Sequence, residues 1–141
     1  MNSLSSVDVI SKKDIEDTKI NNIEDISSLI SNINISGTGN RSDKTFTFRG
    51  ISNYVSYESS VAVYIDNIPV PFSYGYSAFN MNNIENIEVL KGPQGTLFGK
   101  NANAGVINIQ TKPTSKVFQS EASVDIAQYN SKNIYANVSG P

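Results

Sequence analysis

The stretch best equipped for chemistry is GPQGTLFGK, Gly92 to Lys100, set between the apolar runs IEVL and GVINI. Glycines followed by a lysine, between a strand and a helix, can cradle a phosphate when they follow the pattern G-x-x-x-x-G-K-[ST]. Gly99 and Lys100 supply the last glycine and the lysine, but the spacing then requires glycine where Gln94 stands. Position 101 is Asn, which has no hydroxyl for a magnesium ion, and Pro93 removes a backbone donor from a loop that needs donors. Nucleotide binding is therefore not expected. Gly92, Gly95, Gly99 and Gly105 read as structural, allowing positive φ or close backbone approach, and Pro93 stands where it can start a helical turn.

Other covalent chemistry is equally short of residues. The chain has no Cys and no His, which removes thiol chemistry, zinc sites of the usual kind and histidine acid–base catalysis. No nucleophile–base pair and no converging carboxylates stand at a recognisable spacing, so an enzyme is not expected, nor a cofactor or a metal. A net charge of −2, with Lys and Arg scattered apart from Lys12-Lys13, gives no overall footprint for nucleic acid.

The elements that must position these residues are short. VDVI (Val7–Ile10) reads as a strand. Ile20, Ile23, Ile26, Leu29, Ile30 and Ile33 recur at steps that stack on one helical face, with Asn21 and Glu24 at capping-box spacing. So many β-branched residues make a helix that depends on packing. SGTGNRSDK is turn chemistry, TFTFRG a strand ending at Gly50, and SVAVYID a central strand leading into a turn at Asp66-Asn67. Pro69 and Pro71 confine the next segment to an edge or loop, NMNNIEN reads as a short helix capped by Asn80, and IEVLK and GVINIQTK are strands. Strands and short helices in irregular order point to an α+β fold, a small mixed sheet with short helices.

The last segment differs. In SEASVDIAQY, Ala122, Val124 and Ile126 alternate with polar residues, and after a turn Ile134, Ala136 and Val138 do the same. Such a pair of strands reads either as the start of a transmembrane β-barrel or as a hairpin half-buried on a soluble core. No stretch approaches the length of apolar residues that a membrane-crossing helix needs, about 18. The N-terminus shows no basic region leading into an apolar one, so no signal peptide is expected.

IEVLKGPQGTLFGKNANAGVINIQTK closely resembles the signature of the plug domain of TonB-dependent outer-membrane receptors. VDVISKKDIEDTKINNIEDISSLISNI is similar to the opening strand and helix of such plugs, FTFRGI to their F-x-I-R-G strand, and VAVYIDNIPV to their Y-x-D-G-V-P-V hairpin, with Asn67 for the common Gly. The resemblance implies a plug domain over residues 1–116 and the first β-hairpin of a barrel over 117–141. It implies a location in the outer membrane, with the plug inside the barrel lumen and one side facing the periplasm. The partners it implies are the barrel of the same full-length chain, the TonB energising protein, and a small cargo. Ferric siderophores are the first expectation for the cargo, although relatives carry cobalamin, other metals or glycans. No TonB box is recognisable before VDVI, and two strands are too few to close a barrel, so the expectation is an excised plug or a piece of a larger gene product.

On the same resemblance, the candidate cargo contacts are Phe72, Tyr74, Tyr76 and Phe79, with Tyr54 and Tyr57 either facing cargo or packing on the sheet. Arg49 and Lys91 are the candidate plug–barrel contacts, Arg49 being equally readable as a surface residue at a strand end. Lys91 stands where the family commonly has Arg, which keeps the charge and loses the bidentate fork. Asp66 reads as a turn residue. An alternative to the plug is an independent soluble ligand-binding module using the aromatic loops.

Overall fold

The computed structural model describes residues 6–20, 22–37, 44–52, 60–70, 81–127 and 131–141. The chain divides into two compact units, Met1–Thr111 and Lys112–Pro141.

In the first unit a five-stranded sheet carries β1 (Ser6–Ser11), β5 (Val61–Ile65), β6 (Ile68–Pro69), β7 (Ile84–Lys91) and β8 (Gly105–Thr111), in the order β1-β7-β8-β5-β6. β5 and β8 run parallel and the other neighbours antiparallel. A three-stranded sheet joins β2 (Ile33–Gly37), β3 (Lys44–Phe48) and β4 (Ile51–Ser52) in chain order. The mixed sheet and short helices are the expected α+β fold.

Side-chain alternation decides what each strand buries. Ile87 and Val89 of β7, Ile107 and Ile109 of β8, and Val61 and Val63 of β5 share one buried cluster with Ile33, Ile35, Phe46 and Phe48 of the second sheet. The isoleucine series Ile15, Ile20, Ile23, Ile26 and Ile30 completes it. Each such side chain contributes about 1.5–3 kcal/mol on full burial, which offsets the weak helix propensity of the segment that carries them. A smaller cluster on the opposite face of the five-stranded sheet holds Ala62, Ala102 and Val106, with Tyr64, Leu90 and Phe98 against it.

The helical reading of residues 20–33 is corrected. A 3-10 turn at Ile23–Asp25 leads into α2, only Ile26–Leu29, and Ile33 already belongs to β2. Asn32 adopts a φ of +63°, which ends any helix there. Asn22 caps this turn, its N–H donating to the Asp25 carboxylate at 3.0 Å; Asn21, of the expected Asn21–Glu24 pair, lies outside the described residues. A helix that periodicity does not reveal, α1 (Lys12–Asp17), buries only Ile15 and rests on a reciprocal Ser11–Asp14 capping box. The Ser11 N–H donates to the Asp14 carboxylate at 2.9 Å, and the Asp14 N–H donates to Ser11 Oγ at 3.3 Å. β2 also runs to Gly37, past Ser36, the first of the turn-type residues.

The second unit is an antiparallel hairpin of β9 (Gln119–Ala127) and β10 (Ser131–Ser139). Its register sets Ala122 opposite Ala136 and Val124 opposite Ile134. Val124 and Ile134 are 64% and 81% exposed, so among the described residues of the unit this apolar face meets no partner.

Candidate functional site

The glycine segment leaves β7, makes one helical turn, α3 (Gly95–Phe98), and returns as β8. Five of its backbone donors are used internally. Gly92 N–H donates to the Ala104 carbonyl at 3.0 Å and Gln94 N–H to the Ala102 carbonyl at 2.8 Å. Leu97 and Phe98 N–H both donate to the Gln94 carbonyl, and Gly99 N–H to that of Gly95. A phosphate cradle needs such amides free and convergent, so this geometry does not provide one. Tyr64 fastens the turn to the sheet: its hydroxyl donates to the Phe98 carbonyl at 2.6 Å, and the two rings meet edge to face with centroids 5.2 Å apart.

The five glycines do different things. Gly50, Gly92 and Gly99 adopt φ of +82°, +111° and +69°, a region that favours glycine. Gly105 has no such φ but has no room, since a Cβ there would lie 2.6 Å from the Leu90 carbonyl oxygen and 2.8 Å from the Phe48 ring. Gly95 has neither constraint. Pro93 precedes the N-cap, Gln94, and lies just outside the helical turn.

Arg49 and Lys91 are brought to the same end of the first sheet, but they differ. Lys91 continues the phase of Ile87 and Val89 on the core-facing side of β7 and is itself 5% exposed. Its Nζ forms an ion pair with the Asp8 carboxylate and donates to the Ser31 carbonyl at 3.1 Å. The carboxylate expected from a barrel wall is thus met by one inside the same unit, because strand alternation turns Lys91 inward. Arg49 is exposed, with a φ of +48°. Its N–H donates to the Asn32 carbonyl at 2.9 Å and its Nη2 to Ser6 Oγ at 3.1 Å, and its guanidinium lies beside Gly92.

Asp66 and Asn67 form the tip of the β5–β6 hairpin with φ of +47° and +66°. The Asp66 carboxylate accepts the Thr111 N–H at 2.8 Å and the Thr111 hydroxyl at 2.7 Å. These bonds, the backbone one first, hold its carboxyl below the usual carboxylate range. The turn reading of Asp66 stands, with an added role: it ties the hairpin to the end of β8.

The aromatic candidates Tyr54, Tyr57, Phe72, Tyr74, Tyr76 and Phe79 lie outside the described residues, as does the proposed cap Asn80. Among the described residues no group of three or more His, Cys, Asp or Glu is placed to hold a metal ion. No helix among them is long and apolar enough to cross a membrane, which says nothing of strands. Sequence reasoning missed Asp8, Tyr64 and Phe48 as partners of Lys91, the α3 turn and Gly105. A signal existed for the first: a lysine in phase with Ile87 and Val89 faces the core and requires a carboxylate.

Residues 1–106 match the family described as TonB-dependent Receptor Plug Domain. The pesticin receptor of Yersinia pestis is 29% identical over 141 residues, covering 99% of this chain and 20% of that receptor. The vitamin B12 transporter BtuB of Vibrio vulnificus (strain CMCP6) is 34% identical over 112 residues, 77% of this chain and 18% of BtuB. Among solved structures, the ferric yersiniabactin uptake receptor FyuA from Yersinia pestis matches with a TM-score of 0.87 at 26% identity, over 99% of this chain and 22% of that one. The chain spans about a fifth of the length of these curated relatives, which are named as receptors and transporters. With three quarters of its residues in the matched region and the plug fold in its first unit, the chain belongs to the TonB-dependent receptor plug domain family.

Proposed function

We propose that this chain is the plug, together with the first barrel hairpin, of a TonB-dependent outer-membrane transporter for ferric siderophores. The observation that carries this reading is the likeness to a ferric yersiniabactin uptake receptor along 99% of the chain, with a TM-score of 0.87. The plug performs no covalent chemistry. It closes a lumen and offers a cargo surface on one side, and its partner TonB rearranges it from the other. The hairpin of β9 and β10 suits the barrel wall, because its apolar face is exposed and continuous across the register. An independent soluble binding module would have little use for that face.

In this reading Phe72, Tyr74, Tyr76 and Phe79 form the first cargo surface, since rigid aromatic rings, with the hydroxyls of Tyr74 and Tyr76, suit an oxygen-rich chelate. The test is uptake of radiolabelled ferric siderophore by cells carrying the longer receptor, with and without TonB. Uptake that requires TonB, and that weakens about tenfold with Tyr74→Ala and Tyr76→Ala together, is the expected result. Uptake indifferent to TonB contradicts the transport reading. Unchanged affinity in the double variant contradicts only the choice of loop and leaves Tyr54 and Tyr57 as the next surface.

A further inference from the structure

We infer that β1 is a releasable edge strand, fastened at its N-terminal end by the Asp8–Lys91 ion pair. β1 lies at the margin of the five-stranded sheet, and β7 is its only strand partner among the described residues. Of its side chains only that of Ile10 is buried, while Val7 and Val9 are 53% and 59% exposed. A strand that buries so little apolar surface opens at lower cost than the sheet it borders.

What grips it is polar and sits at its start. Lys91 is opposite Ser6 in register and reaches diagonally to Asp8, and the Ser31 carbonyl accepts from the same ammonium. Arg49 holds Ser6 through its hydroxyl. At the other end β1 passes directly into α1, where the Ser11–Asp14 box and buried Ile15 anchor the chain. An opening that begins at Ser6 and stops before Ile10 therefore breaks the ion pair and removes no residue from the core. It uncovers the outer edge of β7 and leaves Lys91 in water.

The ion pair has one enclosed member and one accessible one: the side chains of Lys91 and Asp8 are 7% and 40% exposed. The accessible carboxylate is the part that can leave. Lys91 thus acts as a positioning residue for β1. The strand release is a property of this chain alone. Its purpose rests on the proposed function, in which a partner rearranges the plug.

The test is native-state hydrogen exchange of the 141-residue chain, tracked amide by amide, in water and in low urea. The amides of β1 bonded to β7 are expected to exchange through an opening insensitive to urea, while those of β8 respond as the whole unit does. In Asp8→Asn, β1 exchange rises about tenfold and β8 exchange rises with it, because the pair is absent from the open and the unfolded states alike, while the β1 amides stay indifferent to urea. In Lys91→Arg, β1 stays protected. β1 and β8 amides sharing one urea dependence in the unaltered chain overturn the inference, as does acceleration of β8 without β1 in Asp8→Asn or loss of β1 protection in Lys91→Arg. Because no transport is measured, failure here and failure of the transporter reading are told apart.

Discussion

The Phe48 ring occupies the space that a side chain at Gly105 would need, 2.8 Å from where its Cβ would stand. The contact joins the two sheets of the first unit, since Phe48 closes β3 and Gly105 opens β8. Gly105→Ala forces the ring or the Leu90 carbonyl to move, and overpacking of this kind costs about 1–3 kcal/mol. Chemical unfolding of the chain should show that loss. Phe48→Leu in the same chain should recover part of it, the backbone clash remaining. A loss below about 0.5 kcal/mol, the range of inert surface changes, would contradict the packing described.

Arg49 and Lys91 should separate in the isolated chain. Lys91→Ala leaves the Ser31 carbonyl and the Asp8 carboxylate without their charged donor, and about 1–3 kcal/mol of stability should go, a figure that solvent at Asp8 keeps toward its lower end. Arg49→Ala removes one exposed hydrogen bond and should cost under about 1 kcal/mol. Paired urea unfolding curves decide the matter. The larger loss in Arg49→Ala would reverse the assignment. If Arg49 contacts the barrel, its replacement should matter in the longer receptor, where it should loosen the plug.

Asp66 gives a pH dependence with a definite sign. Its folded-state pKa is lowered by the Thr111 N–H and hydroxyl. The stability it contributes is therefore complete above its unfolded value and is lost as pH falls through the folded one. Asp66→Asn should be less stable than the unaltered chain at pH 7, and the gap should narrow as pH drops below the ordinary aspartate value, about 4. Asp14, also lowered, first by the Ser11 side chain and then by its backbone, titrates in both proteins and cancels in the difference. A gap constant across acid pH would contradict the role given to Asp66.

The two units predict a clean truncation. A chain ending at Thr111 keeps the whole isoleucine core and should unfold cooperatively as a monomer. The 141-residue chain should associate with rising concentration, because Val124, Ile126, Ile134 and Val138 are exposed and hairpins with such faces pair with one another. Sedimentation of the two chains measures this. An unfolded truncation, or a 141-residue chain that stays monomeric, would show that the apolar face is covered.

Much of this fold was legible because strands announce themselves locally. IEVLK and GVINIQTK alternate or run apolar and are β7 and β8, and Asp66-Asn67 is the turn its residue types require. The isoleucines between Ile20 and Ile33 were misleading for a physical reason. Steps of three and four residues satisfy one helical face, but a 3-10 turn, a short helix and a strand entered through Asn32 bury most of the same residues. α1 was missed because a single apolar residue carries no period, although Ser11 and Asp14 held the cap signal. At the candidate site, strand phase already implied that Lys91 points inward, whereas its partner, Asp8, lies far off in the chain and only topology brings it close. The need for glycine at Gly105 depends on Phe48 in another sheet, and no local pattern reveals that.

The central claim, that this chain closes a transporter lumen, is tested most directly by permeability. Cells carrying the longer receptor, intact or with residues 6–111 deleted, would be compared for entry of an antibiotic too large for the outer membrane, at matched surface expression. The plug reading predicts entry only with the deletion, because the emptied barrel then conducts. Equal exclusion by both receptors, with the deleted form shown to be folded in the membrane, would contradict it.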